Sequence, residues 1–408
     1  MGEEFVDPNS LERILIQDTF LRERSMQHRV GAAAFSILGA VKPLFTEQVY
    51  LDGLENLFQD GDLFGEAIPG PFLWLLKHES YYDVPNISPE FPKIPRFMKY
   101  VIMGRERYLP FAPLNYLFLK LFNIIPIKRG WLEEEMTPEK KKEIDDFNRK
   151  TFANLMQQCR KGYHPFVLPE GTTRNNGEII KIRSGAYNMS HFIEDGKLNV
   201  VNCVPVGNTY DLMSGTFGRQ LVFLQIGKMF QYEPAEYDGE RPGEYMKKDI
   251  HKFSATIRQQ FAELNTLTLP QMIGLMLRDC SRRGIQYVSR NEMALKARFT
   301  LMEIKARDDK EPMLVDPELL TTEGMQKRME NFYSNLIRRG YVTRTIQGDR
   351  LNREIVLQTC APERYKKENL LAYMTNRIIS VLDERPGLRI AFEHGLGIED
   401  TTPYKPLK

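Results

Sequence analysis

A histidine and an aspartate stand five positions apart just after a short apolar run. The run, FLWLL (72–76), is followed by KHESYYD, which contains His78 and Asp83. Histidine titrates near neutral pH, so it can take a proton from an alcohol and pass it to a leaving group. If His78 ends a strand, Asp83 on the next turn can fix its tautomer and stabilise the imidazolium. A histidine that merely closes a strand is the commoner use of such a pair, so both interpretations stay open.

Two basic residues, Lys128 and Arg129, follow a second apolar run, IIPI (124–127). Arginine offers a planar fork of donors that pairs with two phosphate oxygens, while lysine acts as a point charge. The two residues therefore suit a phosphate group, although basic residues on a surface loop would give the same pattern.

A third apolar run, FVLP (166–169), leads directly into Glu170, Gly171 and Thr172. Glycine lets the backbone approach a ligand closely, and the threonine with the amides that follow can form a nest for an anion. Arg174 and Arg183 would add positive charge at the same place. These residues could therefore form a second anion-binding group, although a strand followed by a surface turn would give the same pattern.

Short apolar runs alternate with helical patterns in the middle of the chain. The runs cover 72–78, 123–129, 165–172 and 200–211, and a helical pattern at 137–161 lies between two of them. This alternation predicts an α/β fold with a mostly parallel central sheet flanked by helices. In such sheets ligands bind at the carboxyl ends of the strands, which is where the polar residues above stand.

The patterns on either side of this region predict two further segments. Residues 1–60 read as helical, with a capped helix at 9–29 and a second stretch at about 30–60, and the α/β domain covers 61–250. Residues 251–408 form a mainly helical C-terminal extension, with a hairpin at 341–358 that turns at Gln347-Gly348-Asp349 and resembles part of a winged helix. The predicted helices of this extension are 251–264, 270–283, 290–307, 323–339 and 365–383.

The amino-acid composition limits the classes of partner and metal that we expect this protein to bind. The net charge of +2, from 56 basic and 54 acidic residues, does not favour nucleic acid as a partner, and the basic residues of the hairpin indicate a solvated face. Four cysteines form no CxxC pair and no cluster has zinc spacing, so we expect reduced thiols, a cytoplasmic location and no metal.

Two apolar segments, 30–41 and 109–127, could rest on a lipid surface. The first is too short to span a bilayer, and the second contains three prolines, two asparagines and Lys120. The sequence therefore predicts no transmembrane helix, and a buried core is the simpler interpretation of each segment when it is taken alone.

Taken in order, four blocks of the sequence resemble the glycerolipid acyltransferases, a family that includes the glycerol-3-phosphate and lysophosphatidate acyltransferases. The blocks are H-x4-D (78–83), IIPIKRG (124–130), PEGTTRNNGEIIKIRSGA (169–186) and VPVGNTYD (204–211). Four blocks in the right order are more specific than any one of them. The stretch 100–130 resembles the family's connection between its first two blocks, and the helical tail resembles that of the larger glycerol-3-phosphate acyltransferases.

The third block departs from the commonest pattern of the family. Thr173 stands where many lysophosphatidate members have the arginine of E-G-T-R, and Arg174 follows it. Arg183 stands where the family has the lysine of K-x-G-A, and Lys77 precedes the histidine where asparagine or serine is frequent. These changes bear on the acceptor head group more than on the reaction.

The resemblance implies direct acyl transfer. His78, held by Asp83, would deprotonate a glycerol hydroxyl that attacks the thioester of acyl-CoA or acyl carrier protein, with no cofactor and no acyl-enzyme. The resemblance assigns the acceptor phosphate to Lys128, Arg129, Glu170, Gly171, Thr172, Arg174 and Arg183. Among these, Glu170 would order the backbone of the site rather than transfer protons.

The resemblance also sets the expected partners. It implies a lysophospholipid or glycerol-phosphate acceptor, an acyl thioester donor and a membrane surface contacted from the cytoplasm. The favoured acceptor is 1-acyl-glycerol-3-phosphate, with glycerol 3-phosphate or another lysophospholipid as alternatives. An inactive lipid-binding protein with the same fold is the alternative of a different class.

Overall fold

The computed structural model describes residues 42–44, 46–58, 72–79, 83, 90, 100–105, 116, 119–120, 123–128, 137–171, 176–194, 197–234, 242–307, 311–358 and 369–398. The predicted helix at 9–29, the apolar stretch 30–41 and most of the stretch 109–127 lie outside these residues. So do three of the predicted site residues, Arg129, Thr172 and Arg174.

A seven-stranded sheet forms the centre of the first part of the chain, with the strand order β1-β9-β8-β2-β5-β3-β4. A two-stranded hairpin, β6-β7, lies beside it. The strands are β1 (Thr46–Asp52), β2 (Phe72–Leu76), β3 (Tyr100–Arg105), β4 (Ile124–Ile127), β5 (His164–Val167), β6 (His191–Glu194), β7 (Lys197–Val200), β8 (Asn202–Asp211) and β9 (Gln220–Ile226).

Neighbouring strands of the large sheet are parallel except at the β8–β9 pair, which is antiparallel. The prediction of an α/β fold with a mostly parallel central sheet is therefore confirmed. The four predicted apolar runs contain β2, β4, β5 and β8. The sequence patterns did not single out β3 or β9 as strands.

Strand β1 corrects one prediction. Residues 46–52 fall in the segment 1–60 that was predicted to be helical, yet they form a strand that pairs in parallel with β9. The pairing joins Thr46 to Gln220 and Asp52 to Gln225, so β1 and its partner strand are remote from each other in sequence. Val49 and Tyr50 favour a strand, but a periodic pattern in one segment cannot show where its partner lies.

Strand β2 lies inside the sheet, between β8 and β5, and all five of its residues are buried. Trp74 and Leu76 pack into the core on one face of the sheet, while Leu73 and Leu75 pack into the core on the other. A parallel strand covered on both faces needs apolar residues at every position, which explains the uninterrupted run FLWLL. This burial fixes the strand end from which the polar residues emerge.

Three helices accompany the sheet, α1 (Pro138–Arg160), α2 (Ser184–Met189) and α3 (Pro242–Glu263). Each supplies side chains to the same core as Leu73 and Leu75, among them Leu155, Ala186 and Phe253. Helix α1 begins where the sequence predicts, since Thr137 caps it and Pro138 occupies its first turn. Helix α3 begins before residue 251, where the predicted helix started.

The C-terminal part is mainly helical, as predicted. Its elements in chain order are α4 (Leu269–Arg282), β10 (Tyr287–Val288), α5 (Arg290–Lys305), α6 (Thr322–Arg338), β11 (Val342–Thr345), β12 (Gly348–Leu351), α7 (Arg353–Leu357), α8 (Leu370–Glu384) and α9 (Pro386–Leu396). Strands β10, β12 and β11 form an antiparallel sheet in that order, and helices α5 and α6 lie between β10 and β11 in the sequence. The predicted hairpin is the β11–β12 pair, which turns at Ile346 and Gln347.

Helix α6 packs against the sheet-containing part of the chain. Asn335 donates to the carbonyl of Met213 at 2.7 Å, and Asn331 donates to the carbonyl of Ser214 at 3.1 Å. The buried Arg328 pairs with Asp316 and also donates to the Tyr50 hydroxyl, at 2.8 Å in each case. This face of α6 is therefore covered by protein and is not available to a nucleic-acid groove.

Candidate active site

His78 stands two residues beyond the end of β2, at the carboxyl edge of the sheet. Its side chain is 11% exposed, so the imidazole is mostly enclosed but still reaches the surface. The pairing of β2 with β8 continues up to the histidine, because the Lys77 backbone N–H donates to the Val206 carbonyl at 3.0 Å. A rigid strand end therefore delivers the imidazole to this edge.

Asp83 contacts the imidazole directly. One carboxylate oxygen, Oδ2, lies 2.9 Å from His78 Nδ1 and accepts the Glu79 backbone N–H at 2.8 Å. An ionised carboxylate can only accept, so the proton of a neutral His78 sits on Nδ1. This tautomer leaves Nε2 with a lone pair, which is the state that a general base requires.

The second oxygen of Asp83 is held by strand β8, which continues through residues 207–211 beyond the end of β2. Tyr210 donates its hydroxyl to Asp83 Oδ1 at 2.7 Å, and Asn208 donates its amide to the same atom at 3.1 Å. Both side chains point the same way because they are two positions apart on a strand. All three residues are buried, so the aspartate is fixed in position.

Glu170, three residues beyond β5, holds the backbone of two separate segments. Its Oε2 accepts the His78 backbone N–H at 2.8 Å, and its Oε1 accepts the Ile180 backbone N–H at 3.3 Å. The carboxylate is 1% exposed. It therefore ties the histidine to the loop that follows β5, and Gly171 at φ 70° makes the turn in that loop.

A buried cluster of charges surrounds Glu79, the residue that follows the histidine. Lys77 and Arg377 pair with its Oε1, and the Tyr373 hydroxyl donates to its Oε2. Burial alone would raise the pKa of the Glu79 carboxyl, but the two cations and the hydrogen bonds lower that pKa to about 2. Glu79 is therefore ionised near neutral pH.

The same burial acts on Lys77. Burial and the nearby charge of Arg377 lower the pKa of Lys77, while the charges of Glu79 and Glu170 act to raise it. Arg377 and Tyr373 come from helix α8 in the C-terminal part, nearly 300 residues further along the chain. The C-terminal part thus contributes side chains beside the histidine.

The predicted basic residues lie in different surroundings. Lys128 follows β4, and its ammonium group pairs with Glu143 of α1 at 2.7 Å and lies 4.9 Å from the centre of the Phe147 ring. Asn148 holds the backbone of Lys128 through hydrogen bonds to both its N–H and its carbonyl, each 2.9 Å long.

Arg183 caps the amino end of α2, its side chain exposed, and its N–H donates to the Pro169 carbonyl at 2.8 Å. Its backbone therefore lies next to Glu170. The structure brings Asp83 and Glu170 into contact with His78 and places the backbone of Arg183 next to Glu170. Arg129, Thr172 and Arg174 lie outside the described residues.

Sequence reasoning missed the residues that orient Asp83 and Glu79. Asn208 and Tyr210 belong to the fourth block, and the signal for their role is that polar residues occupy alternate positions of an otherwise apolar strand. No signal in the sequence links Tyr373 and Arg377 to Glu79, since the contact depends on how α8 packs. Within the described residues, no group of three His, Cys, Asp or Glu side chains could hold a metal ion.

The buried thiols take no visible part in this site. Burial raises the pKa of Cys159 and of Cys203 to about 12, and both thiols are free in the structure.

None of the helices within the described residues is long and apolar enough to cross a membrane.

Comparisons with known proteins address the family. Residues 49–206 match the family model described as Acyltransferase, and this range contains His78, Asp83, Glu170 and Arg183. Among solved structures, the chain is similar to the 1-acyl-sn-glycerophosphate (LPA) acyltransferase PlsC from Thermotoga maritima, with 16% identity, a TM-score of 0.30, and coverage of 60% of this chain and 88% of that one. No curated protein matches the chain.

Proposed function

We propose that this chain, whose residues 49–206 match the acyltransferase family model, moves a fatty acyl group from a thioester to a hydroxyl of a glycerol-phosphate-type acceptor. The favoured acceptor is 1-acyl-glycerol-3-phosphate, and the product is then phosphatidic acid. The observation that carries the proposal is the contact between His78 Nδ1 and Asp83 Oδ2 at the carboxyl edge of the sheet.

The reaction follows from the state of the imidazole. Nε2 of His78 takes the proton of the acceptor hydroxyl while the hydroxyl oxygen forms a bond to the thioester carbonyl carbon. The resulting imidazolium is stabilised by the Asp83 carboxylate. The tetrahedral intermediate then breaks its carbon–sulfur bond, and the departing thiolate takes the proton from Nε2. The histidine returns to its starting state, so no acyl-enzyme and no cofactor are required.

We assign the acceptor phosphate to four basic residues of the second and third sequence blocks, Lys128, Arg129, Arg174 and Arg183. Lys128 now pairs with Glu143, whose side chain is 66% exposed. An exposed ion pair contributes little to stability, so a phosphate could replace the carboxylate at small cost. Glu170 and Gly171 shape the backbone around this place, and Thr172 with its neighbours supplies further donors. Gripping the phosphate places the hydroxyl beside His78.

Two other acceptors remain as alternatives. Glycerol 3-phosphate is suggested by the helical C-terminal part, and a lysophospholipid by the E-G-T-T form of the third block. An inactive lipid-binding protein is the alternative of another class, and the intact hydrogen bonds around His78 and Asp83 speak against it. The donor is acyl-CoA or acyl carrier protein, and we place the enzyme at the cytoplasmic membrane surface.

The direct test is a panel of acceptors with radiolabelled acyl-CoA and acyl carrier protein. We expect transfer to 1-acyl-glycerol-3-phosphate and less to glycerol 3-phosphate or lysophosphatidylcholine. His78→Ala should abolish transfer without changing the circular dichroism spectrum. If none of the three acceptors is acylated by the wild-type chain, the enzyme proposal is wrong.

Two further measurements address the binding residues and the membrane. Arg129→Ala should raise the acceptor KM, because a guanidinium that grips the phosphate contributes to ground-state binding. An unchanged KM would remove Arg129 from the phosphate site. The membrane assignment predicts co-sedimentation with vesicles that contain phosphatidylglycerol; protein that stays in the supernatant would contradict it.

A further inference from the structure

We propose that helix α8 is part of the active site and that Tyr373 and Arg377 are positioning residues, which hold His78 in place through Glu79. The inference rests on the proposed acyl-transfer function and assigns a role to the C-terminal part of the chain. Neither residue touches the reacting atoms in the proposed reaction. Both act on the short segment, residues 77–79, that carries the histidine.

The two residues reach Glu79 from one face of α8. They are four positions apart, so they lie one above the other on the helix. Arg377 pairs with Glu79 Oε1, and Tyr373 donates its hydroxyl to Oε2. All three side chains are nearly inaccessible, with exposures of 3% or less for the residues concerned. Each oxygen of the carboxylate therefore has a partner on the helix.

Fixing the Glu79 side chain also fixes the histidine, because the backbone N–H groups of both residues are hydrogen-bonded to buried carboxylates. The backbone N–H of Glu79 donates to the same Asp83 oxygen that contacts His78 Nδ1, at 2.8 Å. The backbone N–H of His78 donates to Glu170, also at 2.8 Å. A shift of the Glu79 side chain would therefore move both the histidine backbone and the carboxylate that orients its ring.

Helix α8 also contacts the loop after β5, which contains the third sequence block (169–186). At Gly177, with φ 86°, a Cβ atom would lie only 2.0 Å from the Tyr373 carbonyl oxygen, so the two backbones are in close contact. Gly177 stands between Glu170 and Ile180, which are themselves joined by a hydrogen bond. One helix therefore braces both segments that Glu170 ties together.

The chemical nature of the contact argues for positioning. A buried ion pair costs desolvation, and well-packed apolar residues usually give equal or greater stability. Charged groups with fixed hydrogen-bond directions instead define one geometry, and the placement of a general base is where such definition is needed. A displacement of about 1 Å at a catalytic group can reduce a rate by about 10²-fold.

The test compares three variants of the full chain with matched controls. Tyr373→Phe removes only the hydroxyl, Arg377→Ala removes the cation, and Arg377→Lys retains a charge. The controls are Tyr187→Phe and Arg385→Ala, which remove a buried hydroxyl bonded to the Asp249 carboxylate and a buried guanidinium bonded to the Pro312 carbonyl. Each control matches its variant in residue type and burial without touching Glu79.

We expect kcat to fall about 10-fold in Tyr373→Phe, since a hydrogen bond to a charged group is lost, and about 10²-fold in Arg377→Ala. KM for donor and acceptor should stay near wild type, because the substrates are bound by other residues. Arg377→Lys should recover part of the lost kcat. The controls should lower the melting temperature while leaving kcat unchanged.

A second readout does not depend on turnover. In protein labelled with ¹⁵N-histidine, the Nδ1 proton of His78, hydrogen-bonded to Asp83, should give a downfield proton signal that Arg377→Ala weakens and Arg385→Ala preserves. If wild type transfers no acyl group to any acceptor, the proposed function fails and this signal alone decides the positioning role. The positioning role is wrong if the signal is unchanged in both Arg377→Ala and Tyr373→Phe, or if wild type is active and their kcat falls no further than in the controls.

Discussion

Asp83 and Glu79 lie four residues apart in one motif, and both are buried, yet their surroundings differ. Asp83 accepts hydrogen bonds from a phenol, a side-chain amide and a backbone N–H, beside His78. Glu79 meets two cations, Lys77 and Arg377, as well as a phenol. From outside the motif, the donors to Asp83 described above come from strand β8, whereas those to Glu79 come from helix α8.

This difference separates two uses of a buried carboxylate. Cations beside Glu79 neutralise its charge in the resting protein, so this charge serves structure. Phenol and amide donors orient Asp83 without cancelling its charge, and in the proposed reaction that charge stabilises the imidazolium formed when His78 takes a proton. Under the proposed function, the motif therefore contains one carboxylate that takes part in the reaction and one that fixes its geometry.

The largest effect should follow from neutralising Asp83. Asp83→Asn keeps the shape but removes the charge and places an amide where an acceptor is needed, which favours the wrong tautomer of His78. We expect kcat to fall by about 10³–10⁴-fold with little change in the melting temperature. Steady-state kinetics with a labelled acyl donor measure this. Retention of a tenth or more of the wild-type kcat would show that the Asp83 charge is not used.

Substitution of Glu79, unlike that of Asp83, should also lower the stability of the fold. Glu79→Gln leaves Lys77 and Arg377 buried without their counter-charge, which should lower the free energy of unfolding by about 3–5 kcal/mol. Urea denaturation measures the loss, and Glu143→Gln, which breaks the exposed pair with Lys128, should leave the midpoint unchanged. An unchanged midpoint in Glu79→Gln would mean that the cluster does not stabilise the fold.

The pH dependence of this stabilisation has a definite sign. The pKa of Glu79 in the folded chain is about 2, below its ordinary value of 4.5. Its contribution is therefore present in full above about pH 4.5 and is lost as the pH falls toward 2. The stability difference between wild type and Glu79→Gln should shrink over this range and stay constant above it.

Asp211 gives a third case, a carboxylate whose hydrogen bonds come from the Met213–Ser214 segment that directly follows it in the chain. It is buried, and its Oδ1 accepts the backbone N–H groups of Met213 and Ser214 at 2.8 Å each. Burial raises its pKa to about 6, and these hydrogen bonds only partly oppose the rise. Because the folded pKa lies above the ordinary 3.8, stability is greatest below pH 3.8 and is lost as the pH rises through 6.

Asp211→Asn removes this penalty because the side chain no longer titrates. Between pH 4 and pH 7 the wild type should lose up to about 3 kcal/mol of unfolding free energy relative to the variant. Urea titrations at a series of pH values measure the difference. Parallel stability curves would show that two amide donors suffice to hold a buried carboxylate, and the contrast drawn with Glu79 would then weaken.

The sequence was informative where function depends on local order along the chain. His78, Asp83 and Glu170 each follow an apolar run, and parallel strands bring such positions to one edge, so their proximity could be predicted. Strand β1 could not, because its pairing with β9 joins segments about 170 residues apart. The same limit hid Tyr373 and Arg377, whose contact with Glu79 depends on the packing of α8 rather than on any pattern in either segment.

The smallest of these effects should come from one hydroxyl group. Tyr210→Phe removes the donor that lies 2.7 Å from Asp83 Oδ1 and leaves Asn208 on the same atom. A hydrogen bond to a charged group contributes about 1.5–3 kcal/mol, but Asn208 and the Glu79 N–H still hold the carboxylate, so we expect kcat to fall about 10-fold. Tyr232→Phe is the matched control, since that hydroxyl bonds Asp249 at 2.7 Å. If Tyr210→Phe changes stability as the control does and leaves kcat intact, the donors around Asp83 serve only the fold, and the distinction between the two carboxylates rests on charge alone.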